Sequence, residues 1–119
     1  FMAWLSDDEE SPASRMTKHD ERYVLLDSTV VADSWAELTD GMLSAKINVQ
    51  EDGVALAFGH AWTGTNADGT AGAATCGNWT DGTVNTKGLQ GDLAATDAQW
   101  TEQGSLGCFT KNRLICLEQ

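Results

Sequence analysis

Three tryptophans lie in a stretch that is rich in glycine, threonine, asparagine and aspartate, between Gly59 and Gly107. An indole ring can stack on the apolar face of a sugar or pack against a protein, while nearby amides and carboxylates bond to polar groups of the ligand. The pattern indicates recognition of a neutral glycan or a protein. The candidate ligand-binding residues are Trp62, Asn66, Asp68, Trp79, Asp81 and Trp100. The alternative for each tryptophan is burial in the core, which is common for this residue type.

Side chains with oxygen atoms recur along residues 65–70, a pattern that could surround a hard cation such as Ca²⁺. The stretch lacks the bidentate glutamate of an EF-hand, and Asn and Asp also stabilise tight turns by bonding to nearby backbone. The sequence therefore favours a turn, with a structural calcium site at Asn66 and Asp68 as the alternative. The two histidines, His19 and His60, occur singly and are interpreted as surface or turn residues. No other cofactor is predicted.

The sequence contains no recognisable set of catalytic residues. No serine has a Gly-x-Ser-x-Gly setting, no His-Glu-x-x-His pair occurs, and no glycine-rich phosphate loop with a lysine is present. Carboxylates are numerous enough to approach one another by chance, so their abundance does not indicate glycoside hydrolysis. The chain is predicted not to be an enzyme.

The charge balance is strongly acidic, since 7 Lys and Arg against 18 Asp and Glu give a net charge of −11. Binding to nucleic acids and sulfated polysaccharides depends on basic side chains that neutralise the bound anions. Nucleic acid, heparin-like chains and anionic membrane surfaces are therefore not expected as partners. No apolar run approaches the roughly 18 residues of a membrane span, so no membrane insertion is expected.

Short strands are predicted from β-branched and apolar runs bounded by turn residues. The predicted strands are residues 1–5, 23–26, 29–32, 47–49, 54–58 and 113–117. Asp27-Ser28 is predicted to be a turn, and Asp52-Gly53 to join a hairpin. The last strand is expected to lie centrally in its sheet.

Two helices and one long loop region complete the prediction. Ser11-Pro12 favours a short helix over residues 13–18, and Trp35–Leu38 is a second helix, capped by Asp33 or Ser34. The region from Gly59 to Gly107 is predicted to lack long regular elements. It is much longer than an ordinary connection, which indicates a functional or disulfide-tied loop region.

The three cysteines, Cys76, Cys108 and Cys116, form no Cys-x-x-Cys pair, so a zinc ribbon or thioredoxin-type site is not expected. An odd number of cysteines leaves three possibilities open. One cysteine has a partner upstream that is missing from this sequence, forms an intermolecular bond, or is a free buried thiol.

Several motifs resemble those of endostatin, the C-terminal domain of certain collagens, and occur in the same order and at similar spacings. They are Phe1-x-Ala3-Trp4-Leu5-Ser6, Ser34-Trp35-Ala36-Glu37-Leu38, Trp62-x-Gly64-x-Asn66-x-Asp68-Gly69, Cys76-x-x-Trp79, and the terminal pair Cys108 and Cys116. The match extends over nearly the whole chain, so residues 1–119 resemble a single endostatin-like domain. The acidic, threonine-rich character is more similar to bacterial secreted and surface proteins with such domains than to an animal endostatin.

The resemblance implies a C-type-lectin-like α+β fold, with a mixed twisted sheet, two short helices and a long disulfide-tied loop region. It implies a disulfide between Cys76 and Cys108. Cys116 is then expected to pair with a cysteine outside this chain, in a strand–helix segment of the family that would precede Phe1; a free thiol in the core is the alternative. Calcium-mediated sugar binding is not expected, because the Glu-Pro-Asn-like triplet and the Trp-Asn-Asp motif of sugar-binding C-type lectins are missing.

Two functional hypotheses follow, both for a protein that is secreted or lies on the cell surface. The first is a recognition or adhesion module whose loops present Trp62, Trp79 or Trp100 to a glycan or protein. The second is a structural module of a surface fibre or homo-oligomer, in which the apolar edge beginning at Phe1 pairs with a neighbouring segment. Exposed aromatic residues would favour the first hypothesis, and a long buried self-interface would favour the second.

Overall fold

A computed structural model describes residues 1–119 and consists of short helices and strands. The strands are β1 (Met2–Ala3), β2 (Tyr23–Val24), β3 (Val30–Ala32), β4 (His60–Trp62), β5 (Lys87–Asp92), β6 (Gly104–Gly107) and β7 (Cys116–Leu117). The helices are α1 (Pro12–Arg15), α2 (Trp35–Leu38), α3 (Cys76–Trp79) and α4 (Gln99–Glu102). None of the helices is long and apolar enough to cross a membrane. The α+β class expected from the sequence is therefore confirmed.

The strands form three small antiparallel sheets. β1 pairs with β7, β2 pairs with β3, and β4, β5 and β6 form a three-stranded sheet with β5 in the centre. In the largest sheet Trp62 lies opposite Gln90, and Gly88 lies opposite Leu106. The resemblance implies one mixed sheet and two helices, whereas the structure has three separate sheets and four short helices.

The core is built around two tryptophans from distant parts of the sequence. Trp4, next to β1, and Trp100, in α4, are 0% and 1% exposed, and their ring centroids are 4.9 Å apart. Trp35 of α2 packs against Trp4 from another side, at 5.9 Å. Leu38 and Ala61 are buried in the same cluster. These contacts bring α2, α4 and the three-stranded sheet together around the N-terminal segment.

Four buried hydroxyl groups link the N-terminal segment to β4 and α4. The Thr65 hydroxyl donates to the Thr63 carbonyl oxygen at 2.6 Å, and the Thr63 hydroxyl donates to the Thr101 carbonyl oxygen at 2.6 Å. The Thr101 hydroxyl closes the ring by donating to the Thr65 carbonyl oxygen at 2.9 Å. The Ser6 and Thr65 hydroxyl oxygens are 2.8 Å apart, and the Trp4 indole N–H donates to Thr101 Oγ1 at 2.8 Å. Because buried polar groups without partners are costly, this network fixes the relative position of the three segments.

Both predicted helices are present. α2 begins after Ser34, whose hydroxyl oxygen accepts a hydrogen bond from the Glu37 backbone N–H at 3.3 Å. α1 has Ser11 as its N-cap and Pro12 as its first residue, as predicted, but it ends at Arg15 and not at Lys18. The turn at Asp27-Ser28 also joins β2 to β3 as predicted. These elements follow local cap and turn chemistry, which is readable from the sequence.

Gly59–Gly107 has no long regular element, as predicted, since its longest strand has six residues, but it is not one long loop: it contains β4, α3, β5, α4 and β6. The glycines of this region indicated loops in the sequence, but two of them lie in β5. A Cβ on Gly88 would lie 2.6 Å from Cys76 Sγ, and one on Gly91 would overlap the Trp100 carbonyl oxygen. The six-residue strand β5 therefore carries glycine because other segments approach its backbone closely, and not because the chain turns there.

Two further predictions are wrong: the strand over residues 54–58 and the central position of the last strand, 113–117. Residues 54–58 form no strand; Val54 and Phe58 are exposed, and a single bridge joins Val49 to Ala55. The final strand contains only Cys116–Leu117 and pairs with β1 alone, so it is not central. Its neighbour Ile115 is buried in the core, which explains the apolar pattern without a long strand.

Candidate functional site

A groove with a volume of about 370 Å³ contains two of the three tryptophans predicted to bind a ligand. Its lining residues are Leu5, Trp62, Cys76, Trp79, Thr80, Asp81, Gly82, Cys108, Asn112 and Leu114. Trp62 comes from β4 and Trp79 from the end of α3, and both side chains are partly exposed. Their ring centroids are 5.9 Å apart, with an angle of 50° between the ring planes. We call this surface the Trp62–Trp79 groove.

The short helix α3 that presents Trp79 is left-handed. Its four residues, Cys76, Gly77, Asn78 and Trp79, have φ angles of 50°, 59°, 58° and 61°. Left-handed geometry costs about 1–2 kcal/mol for each non-glycine residue, because Cβ crowds the following carbonyl oxygen. Gly and Asn tolerate this region best, and both occur here. The surrounding contacts must therefore hold Cys76 and Trp79 in an unfavourable conformation.

Hydrogen bonds from the N-terminal segment hold the end of α3 in place. The Asp8 backbone N–H donates to Asn78 Oδ1 at 3.0 Å, and Asn78 Nδ2 donates back to Asp8 Oδ2 at 3.0 Å. The Trp79 indole N–H donates to the Ser6 carbonyl oxygen at 2.8 Å. A Cβ on Gly64 would lie 2.8 Å from Trp79 Cζ2, so the indole packs directly on this glycine. The indole N–H of Trp79 is therefore occupied, and this side chain lines the groove without a free hydrogen-bond donor.

A disulfide between Cys76 and Cys108 forms one side of the groove, with a Cα–Cα distance of 5.7 Å. This is the pair that the resemblance implies. The bridge packs beside Gly88, whose added Cβ would also lie 3.0 Å from Trp62 Cζ3. The disulfide therefore ties the first residue of α3 to the residue that follows β6, and it packs on β5, the strand that pairs with β4 at Trp62.

The polar groups of the groove are Asp81, Asn112 and Thr80. The Thr83 hydroxyl and then the Thr83 backbone N–H hold the pKa of Asp81 below its usual range, so this carboxylate is ionised at neutral pH. The side-chain amide nitrogen of Asn112 donates to Gln90 Oε1 at 2.9 Å, and its side-chain amide oxygen has no hydrogen-bond partner within the chain. Both residues can accept hydrogen bonds from a ligand that lies against the indole rings.

Trp100 was predicted to bind a ligand, and this prediction is wrong. It is 1% exposed and packs against Trp4, so no ligand can reach its ring. Trp62, Trp79 and Trp100 are all followed by threonine, so the local sequence does not distinguish them. The difference arises because α4 faces the core, whereas β4 and α3 meet at the surface.

Asn66 and Asp68 do not line the groove and instead form a tight turn. Asn66 Nδ2 donates to Thr70 Oγ1 and to the Ala71 carbonyl oxygen at 3.1 and 3.0 Å. Asp68 Oδ1 accepts hydrogen bonds from the Thr70 hydroxyl at 2.6 Å and the Thr70 N–H at 3.0 Å, and the hydroxyl contributes most to lowering the pKa of Asp68. The predicted turn chemistry is confirmed. No group of three or more His, Cys, Asp or Glu side chains is arranged to hold a metal ion, and the calcium site stays a prediction.

Cys116 is an exposed free thiol on β7. The alternative of a free thiol buried in the core is therefore wrong, since the core position next to it is taken by Ile115. A disulfide from Cys116 to a cysteine outside this chain stays a prediction.

Sequence reasoning missed four side chains of the groove: Leu5, Thr80, Asn112 and Leu114. Leu5 and Leu114 come from opposite ends of the chain, and no local pattern links them. The Cys-Gly-Asn run before Trp79 was the one available signal, since it places two residues that tolerate left-handed geometry in succession. Comparisons with protein-family models, with curated proteins and with solved structures gave no match to this chain.

Proposed function

We propose that the chain is a non-catalytic recognition module of the endostatin-like, C-type-lectin-like class, and that the Trp62–Trp79 groove binds a neutral glycan. The observation that carries this proposal is the pair of partly exposed indoles, 5.9 Å apart, beside the ionised carboxylate of Asp81. Sugar rings present apolar C–H faces next to hydroxyl groups, so they suit aromatic rings beside hydrogen-bond acceptors.

The available hydrogen-bonding groups also favour a sugar. The Trp79 indole N–H is occupied by Ser6, so Trp79 interacts with a ligand through its ring face. Asp81 and the Asn112 carbonyl oxygen accept hydrogen bonds, and sugar hydroxyls are donors. The net charge of −11 disfavours sulfated or phosphorylated ligands. A neutral oligosaccharide agrees with all three features.

The assignment to the endostatin-like class rests on the colinear motifs, two of which meet in the groove. Trp62 belongs to one motif, and Cys76 and Trp79 belong to another. The disulfide supports a secreted or cell-surface location, because such bonds persist in oxidising compartments. Binding at the surface of a cell would make the module an adhesion domain.

The chemistry of the groove supports binding and not catalysis. Its lining contains one carboxylate, Asp81, and neither a histidine nor a serine. Glycoside hydrolysis generally requires a pair of carboxyl groups across the scissile bond. The Thr80 hydroxyl donates to the Gly77 carbonyl oxygen at 2.6 Å and so serves the backbone of α3.

The test is binding of the purified protein to an array of neutral oligosaccharides, with heparin as a polyanionic control. We expect one class of neutral glycan to bind and heparin not to bind. Trp62→Ala should weaken binding by up to about tenfold, because an aromatic contact contributes about 0.5–1.5 kcal/mol. Asp81→Asn should weaken it about tenfold or more, because hydrogen bonds to charged groups contribute about 1.5–3 kcal/mol. Phe58→Ala removes an exposed aromatic ring outside the groove and should leave binding unchanged.

Failure of every neutral glycan to bind, with a folded protein, would refute the proposal. The same conclusion would follow if Phe58→Ala weakened binding as much as Trp62→Ala. Thermal unfolding of each variant establishes whether the loss comes from the groove or from the fold.

A further inference from the structure

A second and larger cleft lies between β2 and β7, on the side of the molecule that carries Cys116. Its volume is about 1310 Å³, and 14 of its 23 lining residues are hydrophobic. Small-molecule pockets usually measure about 300–1,000 Å³, so this cleft is larger than a typical small-molecule site. We call this surface the β2–β7 cleft. It does not overlap the Trp62–Trp79 groove except at Leu114, which touches both.

Four of the eleven exposed large hydrophobic side chains line the β2–β7 cleft. Phe1, Val24, Leu26 and Leu114 all line it and are 84%, 55%, 66% and 54% exposed. Contiguous apolar surface of this kind marks an interaction site in a water-soluble domain.

The strand edges beside the cleft indicate what kind of molecule would bind there. β2 pairs only with β3, and β7 pairs only with β1. Both residues of β2 and both of β7 line the cleft, whereas Met2 and Ala3 of β1 do not. β2 and β7 thus line the same cleft, and each has one edge that pairs with no other strand. An extended polypeptide can satisfy such edges, and two-stranded sheets gain stability from an added strand.

The charges around the cleft distinguish between partners. Arg22 is paired with Asp33 at 2.7 Å, which leaves Glu21, Glu51 and Glu118 at the rim against Arg113 and His19. The local field is acidic, as is that of the whole chain at −11. A second copy of the chain would bring like charges together, whereas a segment flanked by lysine or arginine would be attracted.

We propose that the β2–β7 cleft binds an extended segment of a partner protein, with alternating apolar side chains and basic residues at its ends, as an added β-strand. The free edges of β2 and β7 supply the backbone hydrogen bonds, and the apolar lining receives every second side chain. This interaction is independent of the glycan groove.

The test uses a fluorescein-labelled synthetic peptide, Lys-Val-Thr-Val-Thr-Val-Thr-Val-Lys, and fluorescence anisotropy. The control peptide has proline in place of two valines, which removes backbone donors and prevents strand pairing. We expect saturable binding of the first peptide only, weakened by salt, and slower amide hydrogen exchange in both β2 and β7.

The matched variants are Val24→Asp, inside the cleft, and Val84→Asp, at an exposed valine outside it; the two valines are 55% and 67% exposed. Val24→Asp should weaken binding of the peptide on the order of tenfold or more, because it places a carboxylate in an apolar contact. Val84→Asp should have no effect. Absence of peptide binding, equal binding to both variants, equal binding of the proline peptide, or a homodimer in light scattering that Val24→Asp dissociates would each overturn the proposal.

Discussion

The indole N–H of Trp4 donates a hydrogen bond to Thr101 Oγ1 at 2.8 Å, across 97 residues of sequence and at a site closed to solvent. The Thr101 hydroxyl donates in turn to the Thr65 carbonyl oxygen at 2.9 Å. One hydroxyl group therefore joins the N-terminal segment, α4 and the segment after β4. Two of these segments also contact Trp79, through the Ser6 carbonyl oxygen and through Gly64.

Thr101→Val should destabilise the fold. Valine preserves the volume but leaves the buried Trp4 N–H without an acceptor, which costs about 1–3 kcal/mol. Thr101→Ser keeps the hydroxyl and should cost less. Urea unfolding of the three proteins measures the difference, and equal losses for serine and valine would show that packing of the methyl group matters more than the hydrogen bond.

Gly91→Ala should be far more damaging than an ordinary surface substitution. The new Cβ would overlap the Trp100 carbonyl oxygen and lie 2.6 Å from its carbonyl carbon, so β5 and α4 would have to separate. We expect a loss of about 3 kcal/mol or more in the free energy of unfolding. Gly82→Ala is the control, since the nearest atom to its Cβ would be 4.0 Å away, and its stability should change by less than about 1 kcal/mol.

The elements that could be predicted from the sequence are those whose cause is local. Ser34 caps α2 three residues before Glu37, and Asp27-Ser28 lies between two β-branched runs, so neighbouring residues suffice to identify them. β5 could not be identified in this way. Gly88 and Gly91 are required by the close approach of Cys76 and Trp100, which are distant in the sequence.

The candidate site shows the same limit. Aromatic residues among polar loops indicated a binding surface, and the structure places Trp62, Trp79 and Asp81 together in one groove. Trp100 has the same local sequence as Trp62 but lies in the core, because α4 packs against β5 through Gly91. Which tryptophan reaches the surface depends on tertiary packing, and the Trp-Thr pattern contains no information about it.

Reduction of the disulfide should destabilise the protein without involving Cys116. The bridge between Cys76 and Cys108 closes a sequence separation of 32 residues, which contributes roughly 3–4 kcal/mol in the chain-entropy model. We expect a loss of this size in the double variant Cys76→Ser, Cys108→Ser, measured by urea unfolding. Cys116→Ser changes an exposed thiol and should stay within about 0.5 kcal/mol of the parent. A comparable loss in Cys116→Ser would contradict the assigned pairing.

Acid should destabilise the fold through four aspartates. Backbone N–H groups lower the pKa of Asp7 and Asp27, and threonine hydroxyls lower those of Asp68 and Asp81, all from an ordinary value of 3.8. A folded-state pKa below the unfolded one gives stability that is present above the unfolded pKa and is lost as the pH falls through the folded value.

The free energy of unfolding should therefore be flat with respect to these groups above about pH 5 and fall below about pH 4. Asp68→Asn keeps an acceptor for Thr70 but cannot titrate, so the acid dependence of its stability should be shallower. Parallel pH profiles for the parent and Asp68→Asn would contradict this assignment.

The left-handed geometry of α3 can be tested at Asn78, where φ is 58°. Asn78→Gly and Asn78→Ala both lose the two hydrogen bonds to Asp8, so their difference isolates the backbone preference. Alanine should be less stable than glycine by about 1 kcal/mol, because only alanine pays the left-handed penalty. Thermal and urea unfolding measure this difference.

Asn85 provides the matched control, because it is a second exposed asparagine and its φ angle is not positive. There the order should reverse, with Asn85→Ala at least as stable as Asn85→Gly, since glycine loses more conformational freedom on folding. The same order at both positions would mean that α3 is not held left-handed in solution. Since Trp79 is the last residue of α3, the ring face that we assign to glycan binding would then point elsewhere.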